Sequence, residues 1–268
     1  GNGGHGSQFK GAIDEGMLFD SCLDEAGVAA VYGAFVGQGG AAKASDLPDG
    51  LIGYWPMNGD GADVSGNGLD AEPLNAEWVA GLNGMAFFFN GDDALKVEDN
   101  DIFDIDNPLM IAWIMPTARD VSRDRGIVMN KESAYEFGLQ DNVGALQGAF
   151  NPGCWRWWGG DIIPLDTWTQ VGVGVDGTNE MHYVNGAFTE QDGCAGSCPA
   201  NDNHFRIGAR TDLWGGQGND GHASQFLGSI DEVMLFGTML SAADITSVYD
   251  ATSAALPAEA NIALSDLP

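Results

Sequence analysis

Basic side chains are scarce: 10 Lys and Arg face 39 Asp and Glu in 268 residues, giving a formal net charge of −29. No basic stripe exists to neutralise phosphates, which excludes nucleic acid as a partner. Electrostatic docking on anionic lipid is excluded for the same reason. No apolar run approaches 18 residues, so no segment reads as a membrane-spanning helix. The opening Gly-Asn-Gly-Gly-His-Gly lacks both the charged and the apolar region of a signal peptide. Cysteine is limited to Cys22, Cys154, Cys194 and Cys198, too few for a disulfide scaffold in a chain this long. Cys194 and Cys198 bracket a Gly/Pro/Asp-rich loop with no βαβ pattern around it, which favours a small disulfide between them over a redox motif. Cys154 can pair with either of the two, and Cys22 is left for pairing between units or chains. An oxidising location follows, extracellular or at the cell surface. His182, His204 and His222 show no metal spacing, and no second Cys/His pair supports zinc.

What the chain does have is 44 % hydrophobic residues and 40 glycines, a composition of strands and turns with few helices. The surplus of carboxylates solvates the surface and also supplies the hard oxygen ligands that Ca²⁺ takes.

An internal repeat organises the sequence. Residues 5–34 and 222–251 agree at 16 of 30 positions, including His5/His222, Phe9/Phe226, Asp14/Asp231, Glu15/Glu232 and Tyr32/Tyr249. A second echo, Ser45-Asp46-Leu47-Pro48, returns as Ser265-Asp266-Leu267-Pro268. The period of about 220 residues exceeds that of solenoid repeats, so each unit is a domain. The expected division is residues 1–36 as the end of a preceding unit or a donated segment, 37–49 as a linker, 50–252 as a complete domain and 253–268 as the next linker.

Within 50–252 the signals are those of an all-β domain. Leu109 to Met115 and Ala86 to Phe89 are apolar runs of strand length, and Val171, Val173 and Val175 alternate with Gln170, Gly172 and Gly174. Asp176-Gly177 and Asn185-Gly186 mark hairpin turns. One helix is expected, starting at the capping box Ser241-Ala-Ala-Asp244 with Ile245, Val248 and Tyr249 on one face.

These residues carry a family resemblance. Leu51-Ile-Gly-Tyr-Trp-Pro56 and Asp63-Val-Ser-Gly-Asn-Gly68 resemble the opening of a laminin-G-like, concanavalin-A-like jelly-roll domain. Phe89-Asn-Gly91, Ile111-Ala-Trp113, Thr167-Trp168, Tyr183-Val-Asn-Gly186, Ile207-Gly208 and Gly228 to Val233 follow in that family's order, and Leu240 to Tyr249 is similar to its last helix. The resemblance implies a two-sheet antiparallel sandwich but not one function, because this fold hosts lectins, adhesins, spacers and glycoside-cleaving enzymes.

Three kinds of chemistry are candidates for these residues. Enzymes of this fold that cleave β-glucans carry E-x-D-x-x-E or E-x-D-x-E on one strand, and neither spacing occurs here. Asp231 and Glu232 are expected on opposite faces of a strand. No G-x-S-x-G elbow is present, and the reading is that the chain is not an enzyme. For calcium, the resemblance implies Asp231 as a ligand, with Asp60, Asp63, Asp92 and Asp93 in loops that could add oxygens. For carbohydrate, Trp155, Trp157, Trp158 and Trp214 stand beside glycines, with Arg156 and Asp161 as hydroxyl partners. In a strand Trp155 and Trp157 share one face, and Arg156 and Trp158 the other. The leading expectation is a non-enzymatic, calcium-stabilised module of a large surface or secreted repeat protein, serving adhesion, spacing or fibre assembly with neighbouring copies of the repeat. A lectin module using exposed Trp residues is the alternative, and a polysaccharide-active enzyme the third.

Overall fold

Short runs whose side chains alternate between two faces, broken at glycine and asparagine turns, fold into two antiparallel sheets. The computed structural model describes residue 22 and residues 42–75, 77–119, 125–140, 143–151, 154–155, 160–211 and 222–253. The strands are β1 (Leu51–Trp55), β2 (Ala71–Leu74), β3 (Glu77–Ala80), β4 (Met85–Phe89), β5 (Ala94–Val97), β6 (Leu109–Pro116), β7 (Arg125–Lys131), β8 (Tyr135–Gln140) and β9 (Leu146–Phe150). They continue as β10 (Cys154–Trp155), β11 (Thr169–Val175), β12 (Asn179–Val184), β13 (Ala187–Gly193), β14 (Phe205–Ile207), β15 (Arg210–Thr211), β16 (His222–Ala223) and β17 (Gly228–Phe236), followed by helix α1 (Ala242–Ser253).

One sheet runs β13-β12-β11-β6-β17-β4-β3, with β1 also paired to β17; the other runs β10-β9-β8-β7-β14-β5-β2. This is the all-β sandwich expected from the sequence, and the expected strands at 86–89, 109–115 and 171–175 are β4, β6 and β11. The β12–β13 hairpin turns at Asn185 and Gly186, both with positive φ, as the Asn-Gly pair predicts. Ser241 caps α1: its hydroxyl donates to Asp244 Oδ2 and accepts from the Asp244 N–H, at 2.7 and 3.2 Å.

Two cores result. Between the sheets, Trp55, Phe103 and Phe205 stack in a row, with Phe87, Phe89, Phe137 and Ile230 around them. Outside the eight-stranded sheet, Tyr54, Ile111, Tyr183, Met234 and Phe236 pack under Ile245 and Val248 of α1. Leu47 joins this second core from the stretch 42–49, so that stretch is more than a spacer. Strand β17 lies in the middle of one sheet with a core on each side. All nine of its residues are buried, Ser229, Asp231 and Glu232 among them, so these polar side chains need partners inside the protein.

The paired cysteines differ from the expectation. Cys154 of β10 is bonded to Cys194, while Cys198 is a buried free thiol. The expected Cys194–Cys198 loop is thereby corrected. Cys194 follows the last residue of β13, and its N–H donates to Thr178 O, whereas the Cys198 N–H donates to Asp106 O. The two ends of the short loop are tethered to different partners, and Cys194 instead meets the edge of the opposite sheet.

Candidate functional site

On the seven-stranded sheet, one set of alternate side chains fills the inter-sheet core and the other set faces outward. Leu95, Val97, Phe205, Ile207, Met129, Tyr135, Phe137, Leu146 and Phe150 are the inward set. The cross-strand register places the outward set in a row from β2 to β9: Glu72, Lys96, Arg206, Asn130, Glu136 and Ala149. Five of the six are polar or charged.

The chain then folds back over this row. At Gly208 (φ +77°) it leaves β14, and a Cβ there would lie 1.8 Å from the Phe89 ring, so only glycine fits. The short β15–β16 ribbon that follows sets Thr211 and Arg210 on the row. The Thr211 N–H donates to Asn130 Oδ1 at 3.0 Å, and Arg210 Nε donates to Glu136 Oε2 at 2.9 Å. Arg210 Nη2 binds the other Glu136 oxygen, completing a two-pronged ion pair. The Asn130 amide donates to Glu136 Oε2 at 2.7 Å and to Glu132 Oε2 at 3.2 Å, and Arg210 Nε lies 3.6 Å from the same Glu132 oxygen. Burial first, and the Glu136 charge second, push the Glu132 carboxyl above its ordinary range, partly offset by Arg210. At the far end of the row, Lys96 bridges Glu98 at 2.7 Å and Glu72 at 3.3 Å. Every cation of the row that shows an ion pair thus has carboxylates beside it. Two buried oxygens have no partner: the Thr211 hydroxyl, beside Asn130, and Asp161 Oδ2, at the β9 edge.

Of the expected carbohydrate residues, Trp155 and Asp161 come to one edge of this sheet. Trp155 pairs with Ala149, and the Leu146 N–H donates to Asp161 O at 2.8 Å. Arg156, Trp157, Trp158 and Trp214, and the side chain of Trp155, lie outside the described residues, as does the first repeat copy, Asp14 included, apart from Cys22. Sequence reading missed Asn130, Glu132, Glu136, Arg206, Arg210 and Thr211. A signal was present in Tyr135-Glu136-Phe137 and Phe205-Arg206-Ile207, where one charge sits between two core residues at strand period.

Of the residues expected to hold calcium, Asp63 and Asp231 are occupied by several protein donors. Asp63 Oδ1 accepts from the Tyr54 and Ser65 N–H groups, and Oδ2 from the Ser65 hydroxyl and Leu69 N–H, at 2.8–3.0 Å. Asp231 accepts three backbone N–H bonds, from Leu82, Asn83 and Glu232. The Asn90 N–H donates to buried Asp93 at 2.6 Å, the Ala62 N–H donates to exposed Asp60 at 3.2 Å, and Asp92 is exposed. Among the described residues no three His, Cys, Asp or Glu side chains are arranged to hold a metal. Asp63 and Asp231 thus shape loops through their backbone N–H partners.

Asp231 and Glu232 also depart from the expected opposite faces. The β17–β6 register gains a residue between Asp231 and Met234, and Glu232 takes a φ of +49°. The bulge turns both carboxyls toward Asn83, and Glu232 receives the Tyr54 hydroxyl. Burial, the larger cause, raises Asp231 well above its ordinary range and Glu232 to about 7, while the Tyr54 phenol is raised by burial and by the Glu232 charge.

A family model described as the concanavalin A-like lectin/glucanases superfamily matches residues 89–246. The chain belongs to this superfamily. No curated protein matches the sequence. Among solved structures, domain 4 of AbnA, an extracellular arabinanase from Geobacillus stearothermophilus in complex with arabinotriose, is 19 % identical with a TM-score of 0.57. The match covers 74 % of this chain and 98 % of that one. The binding domain of botulinum neurotoxin DC in complex with SialylT is 14 % identical at a TM-score of 0.53, covering 76 % of this chain and 52 % of that one. A Trypanosoma rangeli sialidase mutant with trans-sialidase activity is 13 % identical at 0.57, covering 86 % and 39 %. At such identities the likeness is one of fold, and the chain spans only part of the toxin domain and the sialidase.

Proposed function

We propose that the chain is an extracellular, non-catalytic module that binds a neutral carbohydrate on the outer face of its seven-stranded sheet, serving contact with glycan-bearing surfaces. The observation that carries this reading is the row capped by Arg210. It joins charge-balanced polar groups with the unpartnered Thr211 hydroxyl, and Asp161 Oδ2 lies unpartnered at the β9 edge of the same sheet, the mixture of donors and acceptors that sugar hydroxyls need. Because carboxylates already neutralise Lys96 and Arg210, an acidic sugar would meet like charge there. Binding is favoured over hydrolysis because both Glu136 oxygens are held by Arg210 and Asn130, leaving no free nucleophile beside Glu132. The arabinotriose complex of the AbnA domain supports carbohydrate as the ligand class. The Cys154–Cys194 disulfide supports an oxidising location.

The test is calorimetric titration with arabinotriose and a panel of neutral and sialylated oligosaccharides. We expect a neutral member to bind and Arg210→Ala to weaken it about tenfold or more, since a truncated partner leaves buried acceptors unpaired. Binding only of sialylated members, or binding indifferent to Arg210→Ala, overturns the proposal, as does release of reducing sugar from any member.

The repeat between 5–34 and 222–251 favours a second, compatible reading, in which such modules stand in series.

A further inference from the structure

At the opposite margin of the molecule, β13 forms the edge of the eight-stranded sheet, with β12 on one side and no strand on the other among the described residues. All seven of its residues are exposed, although the disulfide at Cys194 fixes its end. Such an edge offers a row of backbone donors and acceptors to an added strand. Its two faces differ in chemistry. On the face turned toward α1, Phe188 is 53 % exposed and packs edge-on against Tyr183 at 5.9 Å. On the other face the register sets Glu190 beside His182 and Asp192 beside Glu180.

Beneath that acidic pair of positions lie two unsatisfied groups. His182 Nε2 and Glu180 Oε1 are 2.8 Å apart, both residues are buried, and Glu180 Oε2 and His182 Nδ1 have no partner. The unpaired carboxylate oxygen Glu180 Oε2 is an acceptor, and the exposed Glu190 carboxylate beside His182 adds further acceptors. A buried acceptor left unpaired is costly, and a cation carrying several N–H groups is what this face lacks.

We propose that the β13 edge binds an extended basic segment of another protein by strand addition. Alternate Arg or Lys side chains of that segment face Glu190, Asp192 and the Glu180–His182 pair, and its intervening apolar residues cover Phe188. A second copy of this chain is a poor occupant, because 39 acidic residues against 10 basic ones would set like charges face to face.

The test uses the full chain and three blocked heptapeptides: arginine alternating with valine, the same composition with the arginines in one block, and glutamate alternating with valine. Fluorescence anisotropy gives affinity, and amide hydrogen exchange of residues 187–193 reports strand pairing. The alternating arginine peptide is expected to bind and slow exchange along β13, and the glutamate peptide to do neither. Glu190→Gln combined with Asp192→Asn, both at exposed positions, is expected to weaken binding about tenfold with an unchanged melting temperature. Equal binding of the blocked-arginine peptide without protection of 187–193 would reduce the effect to bulk charge and overturn the proposal. Protection of β13 by Zn²⁺ or Ca²⁺ alone would replace the peptide with a metal, and dimerisation of the unliganded chain through β13 would replace it with a second copy. Because the glycan face lies on the other sheet, failure here leaves the carbohydrate reading intact, and the converse also holds.

Discussion

Glu232 shows how one side chain couples pH to stability. Its ordinary value is 4.5, and burial raises it to about 7 in the folded chain. Between those values the folded state keeps a proton that the unfolded state has released, so stability falls as pH rises from about 4.5 through 7. Glu232→Gln keeps an acceptor for the Tyr54 hydroxyl and removes the titration. Melting temperatures measured from about pH 5 to 8 are expected to decline for the natural chain and to be flatter for the variant. An equal decline in both would assign the pH dependence to other groups. Asp231 works differently, as the acceptor of three backbone N–H groups that fix the β3–β4 turn. Asp231→Ala leaves those donors buried and unpaired, and chemical denaturation is expected to show a loss of about 3 kcal/mol or more. The Asp-Glu pair was visible in the sequence. Its placement around Asn83 was not, because a bulge adds one residue to the strand and undoes the simple alternation.

At the scale of elements, the disulfide and the β15–β16 ribbon each hold one end of the sandwich. Cys154 and Cys194 are 40 residues apart. In the chain-entropy account, closing such a loop stabilises by about 4 kcal/mol. Cys154→Ser is therefore expected to lower the urea midpoint markedly, while Cys198→Ser leaves the sensitivity to reductant intact. Burial pushes the Cys198 thiol up to about 12, so maleimide labelling of Cys198 should require unfolding. If a Cys194–Cys198 peptide dominates the non-reduced digest, the assigned pairing is wrong. Gly208→Ala forces a side chain into the Phe89 ring and into left-handed backbone, so loss of both stability and glycan affinity is expected in calorimetry. Strand periods made β4, β6, β11 and α1 legible beforehand. The two-residue ribbon carries no period at all, which is why Arg210 and Thr211 escaped notice.

For the whole molecule, a charge of −29 sets the behaviour in solution. Self-repulsion among carboxylates is screened by salt, so the melting temperature is expected to rise between about 0.05 and 0.5 M NaCl. Because Asp63 and Asp231 are filled by N–H and O–H donors, excess EDTA is expected to leave that temperature unchanged; a drop would support calcium as a staple. The sequence by itself determined the all-β sandwich, its capped C-terminal helix and the repeat, because alternation, turn residues and internal identity are properties of residue order. Tertiary structure alone decided which cysteine Cys194 meets, and which carboxylates are spent on backbone N–H groups. It also decided that Glu136, Asn130 and Arg206 lie side by side although up to 76 positions separate them in the chain. Those are matters of register between distant strands, fixed by the packing of two cores and invisible to any local pattern.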